Sequence, residues 1–184
     1  MRAGGERVFV GIGANLGDCV ASFVSVAVHL EREAEIVILA ASPLYETPPL
    51  GPAGQPPYLN AMLELRVWLS PLDFLRKLQE IETALGRDRG PDCVKWGPRM
   101  IDLDVVLFGD RCIDHPDLVV PHPHAHERAF VLTPLAALAP ELIHPRLGIS
   151  IEDLARAQPD VDEMCEQARP MGWPGGWREG DPGG

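Results

Sequence analysis

Two aspartates separated by one residue, in a run that is otherwise apolar, are the strongest candidates for chemistry in this chain. Asp102 and Asp104 lie near the start of the run. Side chains alternate between the two faces of a strand. The two carboxylates therefore share one face, followed by Val106 and Phe108, and the core face takes Ile101, Leu103, Val105 and Leu107. Paired carboxylates suit one or two Mg2+ ions, which also take phosphate oxygens as ligands. The alternative interpretation is a solvated strand face.

Cationic side chains gather just before this pair, although the chain has a formal net charge of -11. They are Arg87, Arg89, Lys95 and Arg99. Arginine neutralises and orients phosphate oxygens, so a cationic loop leading into two carboxylates favours a site for a Mg2+-bound polyphosphate. A solvated loop with Asp88 and Asp92 as counter-charges is the alternative. The acidic chain as a whole argues against nucleic-acid binding, which needs a basic surface.

A helix is predicted from Pro71 to Leu85, with Ser70 as its cap and Gly86 as its stop. At 3.6 residues per turn, Gln79 and Glu82 fall within its apolar face. Polar groups aimed inward need partners, so these two meet either a ligand or a buried structural network.

Aromatic, glycine and histidine patterns are weaker signals. Tyr58 and Asn60 share a strand face, where an aromatic ring could stack on a flat heterocycle and the amide could bond its edge; a half-buried strand face is the alternative. The glycines from 11 to 17 do not fit a dinucleotide fingerprint and are interpreted as a strand-to-helix turn. The three histidines at 122, 124 and 126 lack the further ligands of a zinc site, and Pro121 and Pro123 disfavour a regular strand.

Strands are predicted at 8–12, 36–41, 58–69 and 101–108, with a short strand at 118–120. Helices are predicted after Asp18, after Ser70, at 130–138 and at 149–157. This mixture without strict alternation indicates an α+β sheet with antiparallel pairs. We expect one domain over residues 1–158 and a flexible tail over 159–184, which is rich in turn formers. Four scattered cysteines, no long apolar segment and no signal-peptide pattern predict a cytoplasmic protein with no membrane contact.

Taken together, these segments resemble the 6-hydroxymethyl-7,8-dihydropterin pyrophosphokinase family from about Val8 to His144. The most specific match is the run from Gly97 to Asp104. The other matching pieces, in family order, are residues 11–18, 45–51, 55–60, 79–82, 86–87, 120–123 and 128–130. The resemblance implies a ferredoxin-like α+β fold with a single, largely antiparallel sheet flanked by helices. It also implies transfer of diphosphate from Mg-ATP to the pterin hydroxymethyl group, giving AMP and the pterin diphosphate in folate biosynthesis.

The resemblance further implies a role for each matching position. Asp102 and Asp104 would hold two Mg2+ ions. Residues expected to bind ATP are Gln79, Glu82, Arg87, Arg89, Arg99, His122 and Arg128, and of these Arg87, Arg89 and Arg99 would act on the phosphates in catalysis. Tyr58 and Phe130 would sandwich the pterin, with Asn60 and the main chain at Thr47, Pro49 and Leu50 along its edge. We expect a monomer that binds these two small substrates.

Two other functions are compatible with parts of the pattern. A metal-dependent phosphohydrolase would use the acid pair but would not need the aromatic and amide cluster. A ferredoxin-like binding module that senses a nucleotide or pterin would not need the complete set of acids and arginines. ATP loss without an acceptor would indicate the first, and ATP binding without turnover would indicate the second.

Overall fold

The computed structural model of the chain describes residues 4–49, 54–87 and 98–174, and most of its strands join one antiparallel sheet. The strands are β1 (Glu6–Ala14), β2 (Ile36–Ala41), β3 (Leu44–Thr47), β4 (Tyr58–Val67), β5 (Asp102–Phe108), β6 (Ile113–His115), β7 (Leu118–Val120) and β8 (Cys165–Gln167). The helices are α1 (Cys19–Glu31), α2 (Pro71–Ala84), α3 (Ala129–Leu138) and α4 (Ile151–Arg156), with 3-10 turns at Ala125–Glu127 and Pro159–Glu163.

The main sheet has the order β5-β1-β4-β3-β8, and β2 also pairs with β4; β6 and β7 form a separate hairpin. Each pair of strands is antiparallel. α1 connects β1 to the β2–β3 edge, and α2 connects β4 to β5, which gives the β-α-β-β-α-β pattern of ferredoxin-like folds. The expected α+β class is therefore confirmed, with the small hairpin added to the single sheet that we predicted.

Local sequence signals determine where the first two helices begin. The Asp18 side chain accepts a hydrogen bond from Ala21 N at 2.9 Å, and Ser70 accepts one from Asp73 N at 3.3 Å. These side chains satisfy amides that have no partner inside the helix. α2 ends before Gly86, whose φ of +87° suits glycine. α3 begins at Ala129, one residue before the predicted start at 130, ends at Leu138 as predicted and carries Pro134 inside it.

Apolar side chains pack on both faces of the main sheet. On one face, α1 and α2 contribute Phe23, Val26, Leu30, Phe74, Leu78 and Ile81 to a core with the sheet. On the other face, α3 and α4 contribute Leu132, Leu135, Ile151 and Leu154, which pack with Phe9, Met62, Val106 and Leu107. The glycines and carboxylates of the candidate site lie on this second face, beside α3.

A bulge in β5 corrects part of the predicted strand face. Val10 pairs with Val105, but its neighbour Phe9 pairs with Leu107, so Val106 is an extra residue. An extra residue in one strand reverses the alternation of the residues that follow it. Phe108 consequently packs in the core with α2, with its ring 6.1 Å from that of Phe74, and Leu107 turns to the α3 face. The sequence prediction had these two residues exchanged.

The segment from 159 to 174 packs against the domain, in contrast to the flexible tail expected from residue 159 onward. β8 pairs with β3 between Leu44 and Glu46, and Trp173 is 4% exposed in the core. The local composition is rich in turn formers and predicts neither contact. One buried tryptophan and three paired residues hold the segment against the domain. Residues 175–184 lie outside the described part of the chain.

Among the described residues, none of the helices combines the length and apolar character needed to cross a membrane.

Candidate active site

One pocket on the α3 face brings together nine of the side chains selected from the sequence. They come from β3, β4, β5, the segment before β5, the segment after β7 and the start of α3: Thr47, Tyr58, Asn60, Arg99, Asp102, Asp104, His122, Arg128 and Phe130. The antiparallel register explains how distant segments meet, because β1 pairs Gly13 with both Asn60 and Asp102. The acid pair and the aromatic cluster therefore line the same cavity.

Asp102 is held by two arginines. Arg87 donates a hydrogen bond to Asp102 Oδ1, and Arg99 donates one to Asp102 Oδ2. Burial opposes the charge on Arg87, but the neighbouring carboxylates of Asp102 and Glu82 outweigh it and raise the pKa of the guanidinium. Both oxygens of Asp102 thus have cationic partners in this structure, and the arginines are placed at the edge of the acid pair.

Asp104 has a different environment, although it is only two residues away. Its side chain reaches the solvent of the pocket, while protein atoms enclose it on the other sides. Desolvation raises the pKa of Asp104 to about 7, with further contributions from the charges of Asp102 and Glu82. Arg87 and Arg99 offset part of this effect. A carboxylate in this position gains stability from a cation, because a nearby positive charge favours its ionised form.

Glu82 connects helix α2 to the acid pair from behind. It is 1% exposed, accepts a hydrogen bond from Leu103 N at 2.7 Å and forms an ion pair with Arg87. The inward polar group on α2 therefore has structural partners, as the buried-network interpretation required. Gln79 is half-buried one turn earlier. Neither residue lines the pocket as the structure describes it, so their assignment to ATP remains a prediction.

Asn15 holds the main chain of Arg99 and was missed by sequence reasoning. Its Oδ1 accepts a hydrogen bond from Arg99 N at 2.8 Å, and its own N–H donates to Arg99 O at 3.0 Å. The Asn15 amide also donates to Pro56 O at 3.2 Å and to Gln55 Oε1 at 3.3 Å. A single 4%-exposed side chain thus joins β1, the segment before β4 and the segment before β5. Its place in the glycine-rich motif was the available signal.

The aromatic side of the pocket consists of Tyr58 and Phe130, which approach it from β4 and α3. Asn60 donates a hydrogen bond to Thr47 Oγ1 at 2.7 Å, and both side chains are buried. Burial raises the pKa of Tyr58, so its phenol is neutral near pH 7. The Arg128 guanidinium lies 5.6 Å from the centre of the Phe130 ring, within the range of a cation–π contact. Two rings and a fixed amide can receive a flat polar heterocycle.

The three histidines do not act together. His122 lines the pocket, and its Nδ1 accepts a hydrogen bond from His124 N at 3.3 Å. Burial, assisted by the charge of Arg128, lowers the pKa of His122 to about 4, so it is neutral near pH 7. His124 lies at the surface, with its Nδ1 3.4 Å from Glu127 Oε2. Only the first of the three therefore belongs to the pocket.

The residues that line the pocket are not all the ones that the sequence predicted. Pro48 lines the pocket and Pro49 does not; the other unpredicted lining residues are Gly11, Ile12, Gly13, Ala61, Val106 and Val131. Gly11 lies in strand β1, as predicted for 8–12, but the strand continues to Ala14 and so includes Gly13, which the interpretation of the glycine motif had placed in the turn. Alternate glycines within an apolar strand were the signal that a ligand could approach the backbone there. Leu50, Arg89 and Lys95 lie outside the described residues.

The acid pair fits a divalent metal only as a site shared with a substrate. In the described part of the chain, no group of three or more His, Cys, Asp or Glu side chains is arranged to hold an ion. Mg2+ is commonly bound by one or two carboxylates together with water and substrate phosphates. Asp104, whose pKa desolvation raises to about 7, has the chemistry of such a ligand, because a nearby cation favours its ionised form.

A pocket that combines two carboxylates, arginines and two aromatic rings on an antiparallel sheet defines a class: an enzyme that joins phosphate-transfer chemistry to a flat heterocycle. Residues 9–140 match the model of the 7,8-dihydro-6-hydroxymethylpterin-pyrophosphokinase (HPPK) family. The chain belongs to this family, as the resemblance of its motifs predicted.

Relatives with assigned functions agree with this membership. The chain is 45% identical over 154 residues to the 2-amino-4-hydroxy-6-hydroxymethyldihydropteridine pyrophosphokinase of Pseudomonas aeruginosa, covering 84% of this chain and 93% of that one. It is 37% identical over 134 residues to the enzyme of the same name from Bacillus subtilis, covering 73% and 78%. The fold is similar to that of wild-type Plasmodium falciparum HPPK-DHPS, crystallised with pteroate, with a TM-score of 0.66 at 14% identity. The match covers 85% of this chain and 45% of the longer Plasmodium chain.

Proposed function

We propose that this protein transfers the terminal diphosphate of ATP to the hydroxymethyl oxygen of 6-hydroxymethyl-7,8-dihydropterin, releasing AMP, as a step of folate biosynthesis. The hydroxymethyl oxygen forms a bond to the β-phosphorus, the bond between this phosphorus and the α-β bridging oxygen breaks, and AMP leaves with the electron pair. The hydroxyl proton is released to solvent. The observation that carries the proposal is the single pocket in which the acid pair and Arg99 adjoin the Tyr58, Asn60 and Phe130 cluster.

The chain contributes mainly position and charge to this reaction. Tyr58 and Phe130 hold the pterin ring, while Asn60, fixed by Thr47, bonds its edge. The resemblance to the family adds the main chain at Pro49 and Leu50 to this side. Holding two reactants in line converts a bimolecular step into an intramolecular one. Gln79, Glu82, His122 and Arg128 belong to the ATP side. His122, being neutral, offers hydrogen bonds without adding charge.

The arginines change partners during the reaction in this proposal. Arg87 and Arg99 are paired with Asp102 in this structure. Phosphate oxygens can replace the carboxylate as acceptors, and bidentate contacts from arginine to phosphate are strong and directional. Arg89, on the segment between α2 and β5, completes the set of cations. Their positive charge stabilises the phosphate charge that develops during transfer.

Asp102 and Asp104 would hold Mg2+, with two ions expected. The raised pKa of Asp104 and the pair of carboxylates on one strand face support this assignment. Bound Mg2+ supplies charge neutralisation and polarises phosphate oxygens. Release of Asp102 from its arginines makes its oxygens available to the metal, so nucleotide binding and metal binding support one another.

Analysis of the nucleotide products tests the proposal. The protein is incubated with ATP, Mg2+ and the hydroxymethyl-dihydropterin, and the products are separated by anion-exchange chromatography and identified by mass. We expect AMP and the pterin diphosphate in equal amounts. ADP would mean an ordinary kinase, and AMP or ADP formed equally well without pterin would mean a phosphohydrolase. Tight ATP binding with no turnover would indicate a binding module.

A monomeric, cytoplasmic enzyme is part of the same proposal. Its support is that the described pocket is built within one chain and that ATP is the co-substrate. Light scattering coupled to size-exclusion chromatography should give a mass near the 20.1 kDa of one chain. A mass of two chains that persists on dilution would contradict the monomer.

A further inference from the structure

The segment after α4 anchors itself with one buried tryptophan. Trp173 is 4% exposed, and its ring lies 5.7 Å from that of Phe23 on α1. The indole Nε1 donates a hydrogen bond to Ser42 O at 2.8 Å. Arg169, four residues earlier, donates to Ala41 O at 3.3 Å. The two bonds reach the last residue of β2 and the connection that leads to β3, so this part of the chain is held from outside the sheet as well as from within it.

Ser42 is the point at which the chain passes from β2 to β3 along β4. Ser42 N donates to Met62 O at 2.9 Å, and Met62 N donates to Ser42 Oγ at 2.9 Å. The indole N–H of Trp173 donates to the carbonyl oxygen of Ser42, which is the acceptor that the bonds to Met62 leave open. An indole N–H that is buried needs such a partner, and a buried carbonyl equally needs a donor. The bond therefore fixes where β3 starts.

β8 covers the outer edge of β3. Leu44 pairs with Gln167, Tyr45 with Glu166 and Glu46 with Cys165. The inner edge of β3 pairs with β4, where Tyr45 faces Asn60 and Thr47 faces Tyr58. A strand of four residues that is paired on both sides has less freedom to shift than an exposed edge strand.

The end of β3 forms part of the pocket wall. Thr47 and Pro48 line the pocket, and Thr47 Oγ1 accepts the 2.7 Å hydrogen bond from Asn60. If β3 shifts, Thr47 moves relative to Asn60, and both the pocket width and the orientation of the amide change. The chain of contacts from Trp173 through Ser42 and β3 to Thr47 is continuous.

We propose that Trp173 is a positioning residue for the pterin: its hydrogen bond to Ser42, together with the β8 pairing, holds β3 so that Thr47 orients Asn60. The inference rests on the proposed function, because it assigns the Tyr58 and Asn60 side of the pocket to the pterin. Trp173 does not line the pocket that contains the acid pair. Its effect is therefore on acceptor binding and not on the phosphate chemistry.

Steady-state kinetics of Trp173→Phe in the full chain tests the inference. Phenylalanine keeps a ring against Phe23 but removes the N–H, so the fold is retained while the bond to Ser42 is lost. We expect KM for the pterin to rise about threefold to tenfold, in line with the loss of one buried hydrogen bond. KM for ATP and kcat at saturating pterin should stay within about twofold of wild type. Trp173→Ala should have the larger effect on pterin KM.

Ile36→Ala is the matched control for lost stability. Ile36 is 3% exposed in the same core and pairs with Val67. Val67 is the last residue of β4, at the other end of this strand from Tyr58. It should lower the melting temperature at least as much as Trp173→Phe and leave the pterin KM unchanged. An unchanged pterin KM in both Trp173 variants, or an equal rise in Ile36→Ala, would overturn the inference.

Hydrogen exchange gives a second readout that a purely structural role would not change. Linkage is reciprocal, so if docking of β8 and Trp173 favours pterin binding, the pterin must favour docking. Amide exchange in a peptide covering 164–173 should slow when the pterin is added, and exchange in α4 should not. Failure of the wild-type protein to convert the pterin would reject the proposed function. Conversion without protection of 164–173 would reject the positioning role alone.

Discussion

Asp102 and Asp104 show how two residues of one type can have different electrostatics on one strand. Asp102 has an arginine on each oxygen, whereas Asp104 faces the pocket and is desolvated. The first side chain organises the cations, and the second is the position where a new positive charge is most favourable. We therefore expect the two residues to respond differently to a charge-removing substitution.

Asp104→Asn should reduce turnover by about a thousandfold or more, because the amide would remove a proposed Mg2+ ligand from the phosphate chemistry. The same change should raise the melting temperature of the protein without Mg2+, since it removes a charge from an unfavourable site. The measurement is a thermal melt with and without Mg2+, combined with AMP production. Asp110→Asn, at an exposed position just after β5, is the control and should alter neither quantity. Turnover near that of wild type would contradict the metal role of Asp104.

The raised pKa of Asp104 predicts a pH dependence with opposite signs for folding and for metal binding. Its pKa is about 7 in the folded protein and 3.8 ordinarily. Between these values the folded protein holds a proton that the unfolded chain has released, so this group weakens folding as pH rises through the window. Mg2+ needs the ionised carboxylate, so its affinity should rise with pH up to about 7 and fall by up to about tenfold per unit below it.

Mg2+ titrations between pH 6 and 8 measure this second effect. The Asp104→Asn variant serves as the control and should lose the slope. A wild-type Mg2+ affinity that is flat across the range would mean that Asp104 is already ionised at pH 6.

At the scale of single elements, β1 shapes the pocket because two of its residues are glycines without side chains. Gly11 and Gly13 lie opposite Asp104 and Asp102 on β5, and both line the pocket. A Cβ at Gly13 would lie 3.2 Å from Asn60 Oδ1, whereas one at Gly11 would meet its nearest neighbour, Val106, at 3.5 Å. The first distance is tighter than an ordinary contact, and the second is not.

Gly13→Ala should raise the KM for the pterin about tenfold, because Asn60 must turn away from the new methyl group and loosen its bond to Thr47. Gly11→Ala, the matched control on the same strand, should change it by less than about twofold. Initial-rate kinetics with both substrates varied gives a separate KM for the pterin and for ATP, and so distinguishes the two sides of the pocket. A larger effect of Gly13→Ala on ATP than on the pterin would place the pterin elsewhere.

The turn after β1 positions Arg99 through Asn15. Asn15→Ala removes the side-chain hydrogen bonds to Arg99 N and Pro56 O and keeps the main-chain bond from position 15 to Arg99 O. We expect a loss of about 1–3 kcal/mol in the free energy of unfolding. kcat should fall as well, because Arg99 loses its place beside the acid pair. Urea unfolding and product assays measure the two effects. Asn15→Asp is the matched control: it keeps the acceptor for Arg99 N, so a kcat as low as that of Asn15→Ala would contradict the positioning of Arg99 through its main chain.

Local signals predicted the elements that are fixed by their own residues. The caps at Asp18 and Ser70, the stop at Gly86, β2 and β7 all match the sequence prediction. The β5 bulge, β3 and β8 were missed, because each depends on which strand lies alongside. Val106 becomes an extra residue only opposite Phe9 and Val10. Likewise, Asp102 and Asp104 were found from their alternation, but the arginine partners of Asp102 and the contacts of Asn15 exist only after the chain has folded.

For the whole molecule, we expect each substrate to stabilise the fold separately, because ATP and the pterin are assigned to different sides of the pocket. A ligand that binds only the folded state adds about 2.7 kcal/mol at one hundred times its Kd. Mg-ATP should therefore raise the melting temperature of the wild-type protein, and the pterin should raise it further. ATP without Mg2+ should do so less, and Trp173→Phe should lose part of the pterin increment while keeping that of Mg-ATP. Equal losses of both increments in this variant would point to a general weakening of the fold.

The pairing of β3 with β8 also has a consequence for the order of events during protein synthesis. Ser42 and Trp173 are bonded across 131 positions of the chain. Contacts this distant in sequence form late, because the loop between them must first close. While the chain is being made, β1, β4 and β5 are available well before residue 173 emerges. A nascent chain can therefore assemble the acid pair early, and it completes the wall beside Thr47 only after residue 173 has emerged.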